Sequence, residues 1–202
     1  GTRGISLAGS IRRRKETIGD VDILAASDDP EKIINEFSQI QEIDRILGKG
    51  PTKSSIVLTS GVQVDLRVVD KDQYWAALVY FTGSKAHNIA LRRRALERNW
   101  KLTEYGITSL ADGKMLAGQT EQDLYSLLDL PYIEPELRED TGEIEAAVRG
   151  TLPEIVPYNA VKGDLHVHST WSDGKHTIRE LAVAAQVLGY EYIAISDHAW
   201  NS

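Results

Sequence analysis

The sequence predicts an α+β domain, then a mostly helical region with a small β element, then the opening strand–helix–strand of a βα barrel. Three observations carry this. Asp20 and Asp22 sit in a strand-like run behind a Gly-Ser turn and four cations. Ile56 to Leu58 and Gln63 to Val69 read as strands about a turn, the second with the period-two alternation of a strand. Near the end, 161–168 and 190–196 read as strands flanking a helix.

Composition bounds the possibilities. The 202 residues are 42% hydrophobic, enough for one or two cored domains. Cysteine is absent, so there is no disulfide framework and no thiolate metal site, which fits a reducing cytoplasm. No apolar run approaches the roughly 18 residues of a membrane span, and no signal peptide is visible. The chain opens at Gly1 in what reads as mid-domain and stops at Ser202 just after a strand, so a fragment of a longer protein is expected. Net charge is −7, but it is unevenly spread. Residues 1–115 hold 18 Lys/Arg against 15 Asp/Glu, a net of +3; residues 116–202 hold 5 against 15, a net of −10. Only the first region offers a face for nucleic acid, with cations clustered at 12–15 and 92–98.

Ile5 to Ala8 is a short apolar run leading into the Gly9-Ser10 turn. In a strand from Asp20 to Leu24, residues i and i+2 point the same way, so Asp20 and Asp22 aim at one place. Paired carboxylates repel unless a cation lies between them, and hard divalent cations prefer oxygen ligands. Asp-x-Asp alone is usually a solvated strand. With a glycine turn, a hydroxyl and Arg12, Arg13, Arg14 and Lys15 beside it, the pattern points to a metal-bound polyphosphate. Asp29-Pro30 starts a helix, and Ile33, Ile34, Phe37, Ile40, Ile43 and Leu47 continue it at helical spacing until Gly48-Lys49-Gly50-Pro51. Ile56 to Leu58 and Gln63 to Val69 are strands about a Ser60-Gly61 turn. Val64, Leu66 and Val68 share one face, and Asp65 lies on the other. Aspartate is depleted in strands, so Asp65 suggests a third carboxylate.

Tyr74 to Phe81 is an apolar helix broken at Gly83, and Ser84 caps the next one. On that helix Leu91, Ala95 and Leu96 form the buried side, His87 is expected on the surface, and Arg92, Arg93, Arg94 and Arg98 present cations. Lys101 to Ile107 reads as one strand ending at glycine. Thr120-x-x-Asp123 caps a helix through Leu128, and Glu143 to Arg149 is a short charged connecting helix. Gly150 to Pro157 is a linker by composition. Then His166 and His168 share a strand face, Thr177-x-x-Glu180 is a capping box, and Ile178, Leu181, Ala182, Ala185 and Leu188 form a helical stripe ended by Gly189. Asp197-His198 closes the second strand. Functional residues at the C-terminal ends of both strands are where barrel sites lie, and imidazoles with a carboxylate suit Zn²⁺ or Mn²⁺.

Gly9-Ser10, Arg12-Arg13, Glu16 and Gly19-Asp20-Val21-Asp22 resemble the palm motif of the family X DNA polymerases, a branch of the nucleotidyltransferases. Val64-Asp65-Leu66-Arg67 resembles the site of the third catalytic aspartate, and Tyr80-Phe81-Thr82-Gly83-Ser84 resembles the palm–thumb junction. The resemblance implies Asp20, Asp22 and Asp65 as catalytic ligands of Mg²⁺ or Mn²⁺. It implies Gly9, Ser10, Arg13, Gly19, Tyr80, Phe81, Gly83 and Asn88 at the nucleotide, and Arg92 and Arg93 at DNA. Position 14, often glycine in the motif, is arginine here. Gln63 stands where some relatives carry arginine. His166-x-His168, Asp173-Gly174 and Ser196-Asp197-His198 resemble the opening of a PHP domain, named for polymerase and histidinol phosphatase. That implies His166, His168, Asp173 and His198 as ligands of Mn²⁺ or Zn²⁺.

The expected organisation is palm 1–73, thumb 74–149, linker 150–160 and the start of a PHP barrel 161–202. The implied reaction is two-metal, template-directed addition of dNMP to a primer 3′-OH, in gap-filling base excision repair, by a cytoplasmic monomer with gapped or primer-template DNA and dNTP as partners and no membrane. The PHP part implies 3′→5′ exonuclease or phosphoesterase activity. Alternatives are a PHP nuclease or phosphoesterase with a weak polymerase site, or a non-enzymatic DNA-end binder.

Overall fold

A computed structural model describes residues 4–116 and 120–199. The chain forms two compact units, Gly1–Pro153 and Glu154–Ser202.

The first unit opens with a five-stranded mixed sheet. Its strands are β1 (Gly4–Leu7), β2 (Asp20–Ala26), β3 (Ile43–Lys49), β4 (Lys53–Leu58) and β5 (Gln63–Val69), in the order β1-β2-β5-β4-β3. The β2–β5 pair is parallel and the other pairs are antiparallel. Alternation assigns the faces. Ala25, Leu66 and Val68 pack on one face against Ile34 of α2 (Pro30–Phe37). Leu24 and Ala26 pack on the other against Tyr74, Ala77 and Leu78 of α3 (Tyr74–Thr82). Asp20, Asp22 and Asp65 belong to this second face. The α3 helix covers the later residues of both strands and leaves the three acids uncovered.

α2 begins as expected, with Asp29 accepting from Lys32 N and proline in the first turn. It does not run to Leu47. It ends at Phe37, where Ser38 folds back with both its N–H and its hydroxyl on Ile34 O. The apolar residues beyond belong to β3, which pairs with β4 from Ile43↔Leu58 onward through two register shifts. Those irregularities break strict alternation, so an edge strand imitates a helical period.

The Gly9-Ser10 turn is the start of a one-turn helix, α1 (Gly9–Arg12). Gly83 at φ +73° ends α3. Ser84 then caps α4 (Lys85–Leu96) by accepting from His87 N. Lys101 to Ile107 is not one strand. It is a hairpin of β6 (Trp100–Thr103) and β7 (Gly106–Ser109), with β8 (Met115–Leu116) as a third strand. Gly106 at φ +138° follows the tight turn, where Thr103 Oγ1 accepts from Tyr105 N. The core of this lobe joins Leu91 and Ala95 of α4 with Leu102, Ile107, Leu124 and Tyr125 of α5 (Glu121–Leu127), and with Ile144 and Ala147 of α6 (Glu143–Arg149). So α6 is packed into the core and is more than a connection. Leu96 is 59% exposed, off the buried side.

His87 is the clearest departure from expectation: it is fully buried. Its Nδ1 donates to Glu143 Oε1 at 2.6 Å, and its Nε2 accepts from the Tyr125 hydroxyl at 2.9 Å. Glu143 also accepts from Asp140 N and Thr141 N. A buried polar group is tolerated only when its bonds are satisfied, and both imidazole nitrogens are.

The second unit holds β9 (Gly163–Val167), α7 (Ile178–Val187) and β10 (Tyr192–Ile195), with β9 and β10 parallel. The Thr177/Glu180 capping box is complete.

The His87 network sets a pH dependence. Burial lowers the His87 pKa from its ordinary 6.5 and outweighs the opposing pull of Glu143. Burial alone would raise Glu143; hydrogen bonds from His87, Asp140 N and Thr141 N outweigh it and bring the group from 4.5 to about 2. Both groups bind protons more weakly folded than unfolded, so their stability is complete above the unfolded histidine pKa. It falls as pH drops through the histidine range, then further toward the carboxylate value. Urea unfolding followed by tryptophan fluorescence is expected to give a lower midpoint near pH 5 than near pH 7. His87→Ala should cost about 2–4 kcal/mol at neutral pH and flatten that change.

Candidate active site

Register builds the first site. In the parallel β2–β5 pair Asp22 lies opposite Asp65, and Asp20 opposite Gln63. Oxygens of Asp20, Asp22 and Asp65 all lie within 4.8 Å of one another. Burial, then the charges of Asp20 and Asp65, raise the pKa of Asp22; Lys53 and Arg13 pull the other way. An all-oxygen set whose repulsion Lys53 and Arg13 only partly offset fits a hard divalent cation. Gly9 explains its own identity here: at φ +56°, a Cβ would stand 1.9 Å from Asp22 Oδ2. Ala8 N donates to Asp22 O, holding the turn against the strand.

All four cations behind the turn are paired with carboxylates, although Arg14 and Lys15 are also exposed. Arg12 grips Glu121 through two bonds of 2.9 and 2.6 Å and donates to Thr82 Oγ1. Glu121 is shared with Arg138, which is fully buried, donates from Nη1 at 2.9 Å and lies on the rings of Tyr125 and Tyr132. Burial would raise the Glu121 pKa, but the two guanidiniums lower it on balance. Arg13 Nε donates to Glu139 Oε1 at 2.8 Å, and its Nη1 to Thr82 O. Arg14 pairs with Glu136, and Lys15 lies 3.5 Å from Glu139. Sequence reasoning missed Glu121, Glu136, Glu139 and Arg138. The signal was available: four adjacent cations need counter-charges, and 134–140 is rich in them.

Gly83 adjoins the same corner, where an added Cβ would come within 3.1 Å of Arg13 Nη1. Ser10 is half-buried, and Gly19 is exposed with open space beside its Cα. Tyr80 and Phe81 meet edge to face with centroids 5.2 Å apart. Asn88 is buried and donates from Nδ2 to Tyr80 O. Arg92 lies over the Tyr80 ring and Arg67 over Phe81. Gln63 reaches Asp65 only at 3.4–3.5 Å. Arg93 is exposed. Arg94 and Arg98 do not form a free cationic face: Arg94 donates to Leu128 O and Asp129 O, and Arg98 pairs with Asp129. They neutralise the end of α5, where cations are favoured.

The second unit has its own cluster. Ligand atoms of His168, Asp173 and His198 lie within 4.8 Å of one another. His168 Nδ1 is 2.9 Å from Asp173 Oδ1, and His198 Nε2 is 3.5 Å from Asp173 Oδ2. His166 is not one of the three, although its ring lies beside that of His168 at 4.9 Å. Asp197 accepts from Ser169 N, Ser169 Oγ and Ser172 Oγ, pinning the loop that carries Asp173. Those bonds lower its pKa, the Ser169 hydroxyl foremost.

Residues 77–139 match the family model of the DNA polymerase beta thumb. The chain is 39% identical over 96% of its length to DNA polymerase/3′-5′ exonuclease PolX of Bacillus subtilis. The chain belongs to the family X DNA polymerases. Within family X it is also 29% identical, over 65% of its length, to DNA polymerase lambda of Rattus norvegicus. The chain spans 34% of the Bacillus relative and 28% of the rat one. Family X enzymes use divalent metals, in keeping with the three-carboxylate cluster. Among the described residues no helix is long and apolar enough to cross a membrane.

Gly9→Ala tests the site geometry. It should displace Asp22 and weaken Mn²⁺ binding at least about tenfold, equivalent to about 1.4 kcal/mol. Titration of free Mn²⁺ by electron paramagnetic resonance reads this directly.

Proposed function

We propose that the protein containing this chain is a DNA-directed DNA polymerase that fills short gaps in cytoplasmic DNA repair and works as a monomer. The observation that carries the proposal is the register of β2 on β5, which brings Asp20, Asp22 and Asp65 within 4.8 Å beside a glycine whose added Cβ would meet Asp22. The proposed layout is palm 1–73, thumb 74–149, linker 150–160 and the start of a PHP barrel 161–202.

In this reading Asp20, Asp22 and Asp65 would together hold two Mg²⁺ or Mn²⁺ ions. Bound there, the ions would supply charge neutralisation and polarisation of the α-phosphate. Asp65 accepts the proton of the 3′-hydroxyl. The 3′-oxygen then forms its bond to the α-phosphorus as the α–β bridging bond breaks, and pyrophosphate leaves. Ser10, Arg13 and the backbone at Gly9 and Gly19 receive the triphosphate. Tyr80 and Phe81, with the turn at Gly83, line the sugar. Asn88, fixed by Tyr80 O, presents its remaining oxygen to the base, and Arg92 and Arg93 face DNA. His168, Asp173 and His198, with His166 beside them, would begin a Mn²⁺ or Zn²⁺ site for 3′→5′ exonuclease or phosphoesterase chemistry. Imidazoles and a carboxylate suit those ions, and the Bacillus relative's name includes that exonuclease.

The full-length protein, given 5′-labelled one-nucleotide-gap DNA, Mn²⁺ and the matching dNTP, is expected to extend the primer by one. Asp65→Asn should reduce extension by at least about a thousandfold, about 4 kcal/mol of barrier. Primer shortening without extension, unchanged in Asp65→Asn, would place the function in the second unit instead.

A further inference from the structure

Arg13 is held on two sides before any nucleotide arrives. Its Nε donates to Glu139 Oε1 at 2.8 Å and its Nη1 to Thr82 O. These use two of the five N–H groups of a guanidinium, and Nη2 donates to none of the described residues. Glu139 is itself placed by a buried neighbour. It follows Arg138, whose guanidinium is buried on Glu121, and Glu121 grips Arg12. Consecutive arginines of one segment are thus matched to carboxylates of another.

We infer that Glu139 is a positioning residue for nucleotide binding: it fixes the Arg13 guanidinium through Nε and leaves Nη2 as the donor for the triphosphate. This rests on the polymerase reading and on Arg13 as a nucleotide ligand. The geometry favours an anchor over a competitor. Glu139 takes the Nε side, and Thr82 O takes one N–H of Nη1, so the outer donors are unspent. A flexible arginine must lose rotamer freedom when it clamps a phosphate; a partner that already fixes it removes that cost from the binding step. The carboxylate also lies beside Lys15 at 3.5 Å, so holding Arg13 does not leave Glu139 as an isolated negative charge near the incoming triphosphate.

The test uses the full-length protein with gapped DNA. Two quantities are measured: the Kd of a Ca²⁺–dNTP complex by calorimetry, and the single-nucleotide KM and kcat. Glu139→Ala should raise both Kd and KM about tenfold, with kcat within about twofold. Glu139→Gln keeps an acceptor for Nε–H and should stay within about threefold of wild type. In an Arg13→Ala background, Glu139→Ala should add nothing, because it acts through Arg13. Equal thermal midpoints for Glu139→Ala and wild type separate this from loss of fold. A lower KM in Glu139→Ala would make Glu139 a competitor and overturn the inference. So would an unchanged KM, or a full additional effect in the Arg13→Ala background. Wild-type protein that neither binds nor incorporates dNTP would instead defeat the polymerase reading and take this inference with it. If only Arg13→Ala leaves Kd unmoved, the assignment of Arg13 is at fault.

Discussion

Three carboxylates held within 4.8 Å of one another are the constraint on which the first unit depends. Side by side they repel, and folding places them there because β2 and β5 pair in parallel with Asp22 opposite Asp65. That pairing is maintained elsewhere: by Leu24 and Ala26 under α3, and by Ala25, Leu66 and Val68 under α2. The apolar ends of the strands stabilise what their acidic beginnings oppose. Burial and the neighbouring charges of Asp20 and Asp65, which raise the Asp22 pKa, are the remaining cost. A sheet that held the acids by their own interactions would need partners for them, and such partners would fill the place of a cation.

The second organising element is charge matching between 12–15 and the acidic residues at 121, 136 and 139. Four adjacent cations in one loop would repel one another and wander if left unpaired. Here each is drawn to a carboxylate, and the deepest, Arg12, enters a buried network with Glu121 and Arg138. Burying such charges is seldom a net gain in stability. Its return is geometric: α1 is fixed to the end of α3 through Thr82 and to the lobe that carries α5. The loop at 12–15 and the stretch matched as thumb therefore share one set of ion pairs.

Much of this was legible in the sequence where the signal is local. β5 followed from period-two alternation and an aspartate out of place in it, β2 from its paired aspartates, and β4 from the apolar run Ile56 to Leu58. The caps at Asp29, Ser84, Thr120 and Thr177 followed from capping chemistry within four residues. What failed was non-local or irregular. His87 read as a surface residue because its partners, Tyr125 and Glu143, lie 38 and 56 residues away. β3 read as helix because two register shifts spoil its alternation. The hairpin at 100–109 was compressed into one strand because its two-residue turn, Glu104-Tyr105, lacks the usual turn residues before Gly106. The cationic loop was read for what it could bind and not for what would balance it.

The second unit makes the same point with different chemistry. His168 and His198 follow the carboxyl ends of two parallel strands, and Asp173 comes from the loop between β9 and α7. Parallel pairing, not sequence distance, brings residues 168 and 198 together. The loop between them is held by Asp197, which accepts three bonds from Ser169 and Ser172. A carboxylate next to the histidine in sequence is thus spent on the loop, while a carboxylate distant in sequence joins the imidazoles. Asp197 and Asp173 are chemically identical, and only their hydrogen bonds separate their tasks. Asp197 has its acceptor capacity taken up by N–H and O–H donors. Asp173 lies between two imidazoles, at the one place in this unit where nitrogen and oxygen donors converge among the described residues.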